Sequence, residues 1–230
     1  MDVLGVIVAR GGSKGISGKN LKTVMGKPLI QYAIEAAQGA ELLSNFLVST
    51  DSSEIAHFSE SIGASVPFMR PLDLSNDIIS PIHAILHAKE FMRNSGKQFD
   101  AVVMLQPTAP FRKSEDIDGS IALLSESNSD SVISVVEVGA YHPARMKYLE
   151  DGRLIDPPFC EIYENQRRQE LRPMYIRNGA IYLTKTLVLD RESFKGKDCR
   201  AWVMPWQRSI NIDTEEDFTY AEWLFERGLI

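Results

Sequence analysis

A core strand that runs straight into glycines and cations constrains this chain more than any other feature. Val3, Leu4, Val6, Ile7 and Val8 form an apolar run with the length and β-branched content of a buried strand. Positions 9–20 (ARGGSKGISGKN) then carry four glycines (Gly11, Gly12, Gly15, Gly18), two serines (Ser13, Ser17) and three cations (Arg10, Lys14, Lys19). Glycines let a backbone turn sharply and bring its N–H groups against a ligand, while fixed cations among them add full positive charge. The combination suits a polyphosphate. A surface loop kept soluble by its charges is the alternative, and the position directly after the first core strand argues against it.

The named phosphate motifs do not account for this loop. A Walker loop requires G-x-x-x-x-G-K-[ST], but the fifth residue before Gly18 is Ser13 and Lys19 is followed by Asn20. The dinucleotide fingerprint G-x-G-x-x-G fails as well, because Gly12 is followed by Ser13 and Lys14, which disfavours a nicotinamide dehydrogenase. Composition narrows the ligand further. A net charge of −6 gives no basis for binding nucleic acid or an anionic membrane, so the loop's cations mark a local site for a small anion.

The length of 230 residues, 44% of them hydrophobic, predicts a single domain over 1–230 with a substantial core. Cys160 and Cys199 have neither metal-ligand spacing nor a C-x-x-C partner, and no stretch approaches the ~20 apolar residues of a membrane span. A cytoplasmic protein without export signal or anchor is expected.

Further along, strands alternate with amphipathic helices. Pro28 opens a helix with Leu29, Ile30, Ala33, Ile34 and Ala37 on one face, ending at Gly39. A second strand over 46–49 leads to Asp51 or Ser52 as the cap of a helix that faces inward with Ile55, Phe58 and Ile62. A short third strand is expected over 65–68. Ser80 and Pro81 start a helix carrying Ile82, Ile85, Leu86 and Met92, and 101–105 reads as a central strand. Ile117, Ile121 and Leu124 mark another helix and 131–138 another strand. From 139 to 172 turn residues dominate, predicting hairpins that project from the sheet. Residues 178–182 read as a turn into an alternating strand, 202–205 as a last strand, and Thr214 as the N-cap of a final helix with Asp217 in capping-box position. The alternation predicts an α/β fold of three layers, a mainly parallel sheet with helices on both faces, and a ligand at the carboxyl ends of the strands.

The run ARGGSKGISGKN followed by GKPLI (26–30) resembles the signature of the cytidylyltransferases that activate acidic 2-keto sugars, the N-acylneuraminate group above all. RPLDLSND (70–77), LQPTAPFR (105–112), RPMYIRNGAIY (172–182) and NIDTEEDF (211–218) agree with it in the family's order, across nearly the whole chain. The resemblance implies a nucleotide-diphospho-sugar transferase-like fold and an enzyme that joins CTP to an acidic nine-carbon 2-keto sugar. It also implies Mg²⁺ or another divalent cation, and a homodimer in which 139–172 exchanges between subunits. An eight-carbon keto sugar, 3-deoxy-manno-octulosonate, is the nearest rival substrate, with legionaminic and pseudaminic acid beyond it. A nucleotide-binding sensor without turnover is the reading from another class.

Site residues follow from both lines. Arg10, Ser13, Lys19 and the loop amides, Gly11 among them, would hold phosphates, and Asn20 would orient the cytidine end. Arg70 is a nucleotide contact by resemblance, or an ion pair with Asp73 or Asp77. Gln106, on a rim stiffened by Pro107, Thr108 and Pro110, is a sugar contact or a loop-stitching amide. Arg145, Lys147, Arg167, Arg168 and Arg172 concentrate positive charge in the projecting segment, and arginine suits a sugar carboxylate by bidentate pairing. By resemblance Arg168 reaches across the dimer and Arg145 stands where some members have lysine, while Lys147 and Arg167 read as solvated. Asn178 and Tyr182 are sugar contacts by resemblance, or a turn asparagine and a core tyrosine. Asn211 and Asp213, two apart on an extended segment, point their oxygens the same way and suit Mg²⁺. Many relatives read D-I-D-T there, so Asn211 keeps an oxygen and loses a charge. Arg10, Lys19 and Asp213 are the candidate catalytic groups. His83 and His87 are four apart but lack the glutamate of a zincin motif.

Overall fold

The first apolar run forms strand β1 (Val3–Val8), at the heart of the computed structural model, which describes residues 1–12, 15–76 and 78–230. Ser13, expected on the phosphates, and Asp77, weighed as a partner of Arg70, lie outside the described residues. After the glycine loop, β2 (Thr23–Val24) and β3 (Lys27–Pro28) pair as a small hairpin that periodicity alone did not announce. Met25 and Gly26 make its turn, both at positive φ. Helix α1 (Leu29–Gln38) begins one residue after Pro28, which stands at its N-cap. β4 (Asn45–Ser49) and α2 (Ser53–Ser61) follow, with Ser52 rather than Asp51 as the cap, accepting from the Ile55 N–H at 3.4 Å.

Residues 65–68 do not form the expected strand. They run beside β4 through a Val48 N–H to Ser65 carbonyl bond and a single Thr50–Met69 bridge, so they shield the sheet edge without extending it. Then come α3 (Pro81–Asn94), β5 (Ala101–Leu105), α4 (Ser114–Ser127) and β6 (Ser131–Glu137). The projecting segment holds one hairpin, β7 (Tyr148–Glu150) with β8 (Arg153–Ile155), and short helical turns. β9 (Tyr175–Lys185), α5 (Thr186–Leu189), β10 (Cys199–Val203) and α6 (Glu215–Glu226) complete the chain.

The main sheet has the order β10-β6-β9-β5-β1-β4. Five strands run the same way and β9 alone runs against its neighbours β5 and β6. Asn178 and Gly179 are therefore not a turn but part of β9. Pairing with β6 shifts between Ile133, opposite Tyr182, and Val135, opposite Arg177, so extra residues of β9 bulge out of the ladder there.

Alternate residues of β1 and β5 point to opposite faces and bury two separate cores. Val3, Ile7, Val103 and Leu105 meet Ile30 and Ile34 of α1, Ile55 of α2 and Ile117 of α4. Leu4, Val6, Val102 and Met104 meet Ile82, Ile85 and Met92 of α3. A third cluster is what brings distant segments together. Ile16, from within the glycine loop, is buried with Val24, Leu29, Ile210, Ile212, and Phe218 and Leu224 of α6. Burying a side chain such as Ile212 stabilises by roughly 1.5–3 kcal/mol, and here that energy fastens the 210–212 segment beside a loop almost two hundred positions earlier.

Candidate functional site

A cavity of about 570 Å³ opens at the carboxyl ends of β1 and β5. Arg10, Gly15, Lys19 and Asn20 of the glycine loop, Arg70, Gln106, Asn211 and Asp213 all line it. Ser75, Asn76, Ile79, Pro81 and Ala84 complete the wall on the α3 side.

Glycines are required where the loop touches other segments. A Cβ on Gly15 would stand 2.8 Å from the Asp213 carbonyl oxygen, and one on Gly11 3.0 Å from the Ser52 Cβ. The Asn20 side chain is buried and donates to the Arg10 carbonyl at 2.9 Å, closing the loop on itself. Asp51, displaced from capping by Ser52, accepts the Gly11 N–H at 2.9 Å. The same carboxylate faces the Arg70 guanidinium at 3.6 Å, and Arg70 Nε donates to Ser75 Oγ at 2.9 Å. Arg70 is only 6% exposed, so it is not a surface ion pair. Burial lowers its pKa, the Asp51 charge opposes that, and the nearby positive charge of Arg10 lowers it further. Two cations held close enough to repel, one of them buried, make an environment that an anion would stabilise.

Lys19 joins the two ends of the sequence. Its ammonium donates to Asp213 Oδ1 at 2.8 Å and to the Ile212 carbonyl at 3.0 Å. Asp213 is itself 60% exposed toward the cavity mouth. The Asp217 carboxylate accepts the N–H of Asp213 and of Thr214, completing the capping box that starts α6 and turning the chain at this point. Asn211 Nδ2 donates to Asp213 Oδ2. Its Oδ1 is buried without a partner, and points instead toward Gly179, where a Cβ would lie 3.3 Å from it and 3.1 Å from Gln106 Oε1.

These residues fit a hard divalent cation in one specific way. Asp213 offers an exposed carboxylate, but Asn211 turns its Nδ2 and not its oxygen toward it, so the two oxygens do not point the same way, against the expectation from their spacing. Among the described residues no group of three or more His, Cys, Asp and Glu side chains is placed to hold a metal, so further ligands would have to come from phosphates. The His83/His87 spacing makes no such site. His87 packs edge-on against Phe68, with ring centroids 4.6 Å apart.

Four residues expected at the sugar do not reach this cavity in their own chain. Asn178 is 4% exposed and its amide is spent inside the sheet: Oδ1 accepts from Ser134 Oγ at 2.6 Å and Nδ2 donates to Ser209 Oγ at 2.9 Å. It stitches the β9 bulge to the 205–209 segment. Tyr182 packs in the second core cluster, its ring 5.7 Å from that of Phe194. The sugar contacts expected of this pair find no support in this arrangement. Arg145 is folded into the projecting segment, donating to Glu161 Oε1 at 3.1 Å and to the Gln166 carbonyl at 2.9 Å. Arg168 lies 3.6 Å from Glu137 on a separate groove of about 960 Å³ lined also by Tyr141, Met146, Tyr175, Ile176 and Trp206.

Sequence reading missed Asp51, Ser75, Ile16 and Arg112. Asp51 and Ile16 had signals: an acid just beyond a parallel strand beside β1, and a lone large apolar residue in a polar loop. Arg112 had none apart from lying in the rim segment.

The Cytidylyltransferase family model matches residues 4–184. A CMP-N,N'-diacetyllegionaminic acid synthase of Legionella pneumophila is 35% identical, covering 98% of this chain and 97% of that protein. An N-acylneuraminate cytidylyltransferase of Escherichia coli is 31% identical over 95% of this chain and 51% of its own, longer length. The structure of a CMP:2-keto-3-deoxy-manno-octonic acid synthetase complexed with CTP superposes with a TM-score of 0.74 over 99% of this chain and 100% of that one, at 18% identity, a likeness of fold. The chain belongs to the cytidylyltransferase family and is a nucleotidyltransferase. Among its described residues no helix is long and apolar enough to cross a membrane.

Proposed function

We propose that this cytidylyltransferase transfers the cytidylyl group of CTP to the anomeric hydroxyl of an acidic nine-carbon 2-keto sugar, releasing pyrophosphate. The observation that carries the reading is the lining of one cavity. Arg10, Lys19 and Arg70 supply positive charge to it, Gln106 an uncharged amide, and Asp213 is bonded to Lys19 and, through Asn211, adjoins Gln106. The names of the Legionella and Escherichia relatives, a legionaminic acid synthase and a neuraminate cytidylyltransferase, support the sugar class.

In the reaction the hydroxyl oxygen bonds to the α-phosphorus, the bond from that phosphorus to the bridging oxygen breaks, pyrophosphate departs with that oxygen, and the hydroxyl proton is released. Such chemistry depends on positioning and charge stabilisation more than on an elaborate set of proton-transfer groups. Arg10, Lys19 and the other loop amides hold the β- and γ-phosphates and the pyrophosphate that forms, whereas the Gly11 N–H, expected on the phosphates, is given to Asp51. Arg70 and Asn20 secure the nucleoside end. Asp213, steadied by the Asn211 Nδ2, is where Mg²⁺ or another divalent cation would sit together with the phosphates, and Asn211 would add its oxygen only by turning its amide over. When bound, that cation would offset the charge developing on phosphate oxygens.

With Arg10, Lys19 and Arg70 assigned to the nucleotide, the sugar carboxylate needs a partner from elsewhere. Arg168 and Arg145 on the 139–172 excursion fill that role from a second copy of the chain in a homodimer. A CTP-dependent synthesis of this kind suits a cytoplasmic enzyme.

A pyrophosphate-release screen tests the reading: CTP, ATP, GTP and UTP against N-acetylneuraminic, diacetyllegionaminic and pseudaminic acids and 3-deoxy-manno-octulosonate. Release is expected with CTP and a nine-carbon acid. Release only with the octulosonate would transfer the assignment to that sugar, and tight CTP binding with no release from any acid would favour a sensor.

A further inference from the structure

Arg112 lies in the turn between β5 and α4, is 3% exposed, and uses only part of its guanidinium. Nη1 donates to the Ala180 carbonyl at 2.8 Å and to the Gln106 carbonyl at 3.3 Å. Nε and Nη2 are buried without partners. Burial brings its pKa down to about 10, with the Asp116 charge opposing the fall. A buried, under-satisfied cation is costly, and an apolar residue of similar volume would pack there at less expense. Its value must lie in the two carbonyls it holds.

Those carbonyls belong to the two walls of the sugar end. One is that of Gln106 itself; the other follows Gly179, the glycine over which Gln106 Oε1 and Asn211 Oδ1 converge. Gly179, at φ of +78°, lies in the stretch of β9 that is in register with neither β5 nor β6, and the Arg112 bond to the Ala180 carbonyl holds that stretch from outside the ladder. The counter-charge is tied into the same end of the molecule. Asp116, buried at the start of α4, accepts from Trp202 Nε1 at 3.2 Å and from Arg208 Nη1, and Arg208 heads the segment that carries Asn211 and Asp213.

We propose that Arg112 is a positioning residue for sugar binding: it touches neither substrate, but it fixes Gln106 against the β9 bulge and so sets the shape of the acceptor end of the cavity. The identity of the acceptor rests on the function proposed above, whereas the bracing of 106 against 179–180 does not.

The test uses the full-length protein with Arg112→Met and Arg112→Lys. Hydrogen–deuterium exchange should accelerate at residues 106–109 and 178–181 in Arg112→Met, and at Ile212, whose N–H is bonded to the Thr108 carbonyl, with 15–20 unchanged. With whichever keto sugar the wild type accepts, the sugar KM should rise about 10-fold or more while the CTP KM stays within about 2-fold, because two buried carbonyls lose their donor only at that end. Added guanidinium should restore part of the sugar KM in Arg112→Met. If Arg112→Met fails to fold, Arg112→Lys decides by the same two readouts, since a point charge cannot span both carbonyls as the planar group does. Equal rises in both KM values, or exchange raised equally in the glycine loop, would overturn the proposal. A wild type inactive with every keto sugar would refute the proposed function, and the exchange pattern would still decide the role of Arg112.

Discussion

In the proposed reaction Lys19 and Asp213 are the pair on which the chemistry turns. Each is the other's partner at 2.8 Å and both line the cavity proposed for the triphosphate. Lys19→Ala and Asp213→Ala should each lower turnover at least ~100-fold, the scale of losing one charge-stabilising group in an active site. Pyrophosphate release by the folded variants measures it, and a near-normal rate would remove that residue from its role. Asn211 differs in kind from an aspartate. Its Nδ2 bond to Asp213 holds the carboxylate without adding charge, whereas a second carboxylate would repel it in the absence of a cation.

At the scale of elements, the site depends on how α6 begins. Thr214 and Asp217 exchange reciprocal capping bonds, and the Asp217 carboxylate also fixes the Asp213 N–H, so the cap that starts the helix also aims the acidic segment. Thr214→Ala should cost about 1 kcal/mol of stability, read as a lower Tm, and should weaken CTP binding because the turn behind Asp213 loosens. A Tm change without any change in CTP binding would confine the cap to stability. The β9 bulge has a comparable role at the other wall. Residues 178–182 read as a turn into an alternating strand, yet antiparallel pairing before and after them carried one strand through. Tertiary pairing outweighed local turn preference, and Asn178 went into the sheet rather than into the cavity.

For the molecule as a whole, the apolar surface of the projecting segment asks for a partner. Tyr141, Leu149, Leu154 and Ile162 are all largely exposed there, and Tyr141 lines the groove that holds Arg168. If the sugar carboxylate is met by Arg168 of a second copy, Arg168→Ala should raise the sugar KM more than the CTP KM. Mixing inactive Lys19→Ala with Arg168→Ala, with subunits exchanging at random, should then restore about a quarter of wild-type activity, because half the dimers carry one intact site of two. No recovery on mixing would return Arg168 to its own chain.

Acid stability is a second property of the whole fold. Burial, reinforced by the charge of Arg70 and opposed by Asp73, lowers the pKa of His87 below its unfolded value. The folded protein therefore binds that proton less readily than the unfolded one. The His87 contribution is fully present above about pH 6.5 and is lost as pH falls from there toward the lowered folded value. Melting curves between about pH 7.5 and 5 should show a shallower loss of Tm in His87→Gln than in wild type, and parallel curves would remove His87 from the acid response.

The sequence by itself determined the family and most of the helices and core strands, because hydrophobic periodicity, caps and the spacing of glycines and cations are local properties that survive without coordinates. It marked Arg10, Lys19, Arg70, Gln106, Asn211 and Asp213, and all of them line one cavity. Only the tertiary structure decided what each of them touches. Ile16 and Ile212 had to be buried together for Lys19 to find Asp213, and Asp51 had to yield its cap to Ser52 to brace Gly11 against Arg70. Such pairings join residues far apart in the chain, and their energy comes from shared burial, which no local pattern encodes.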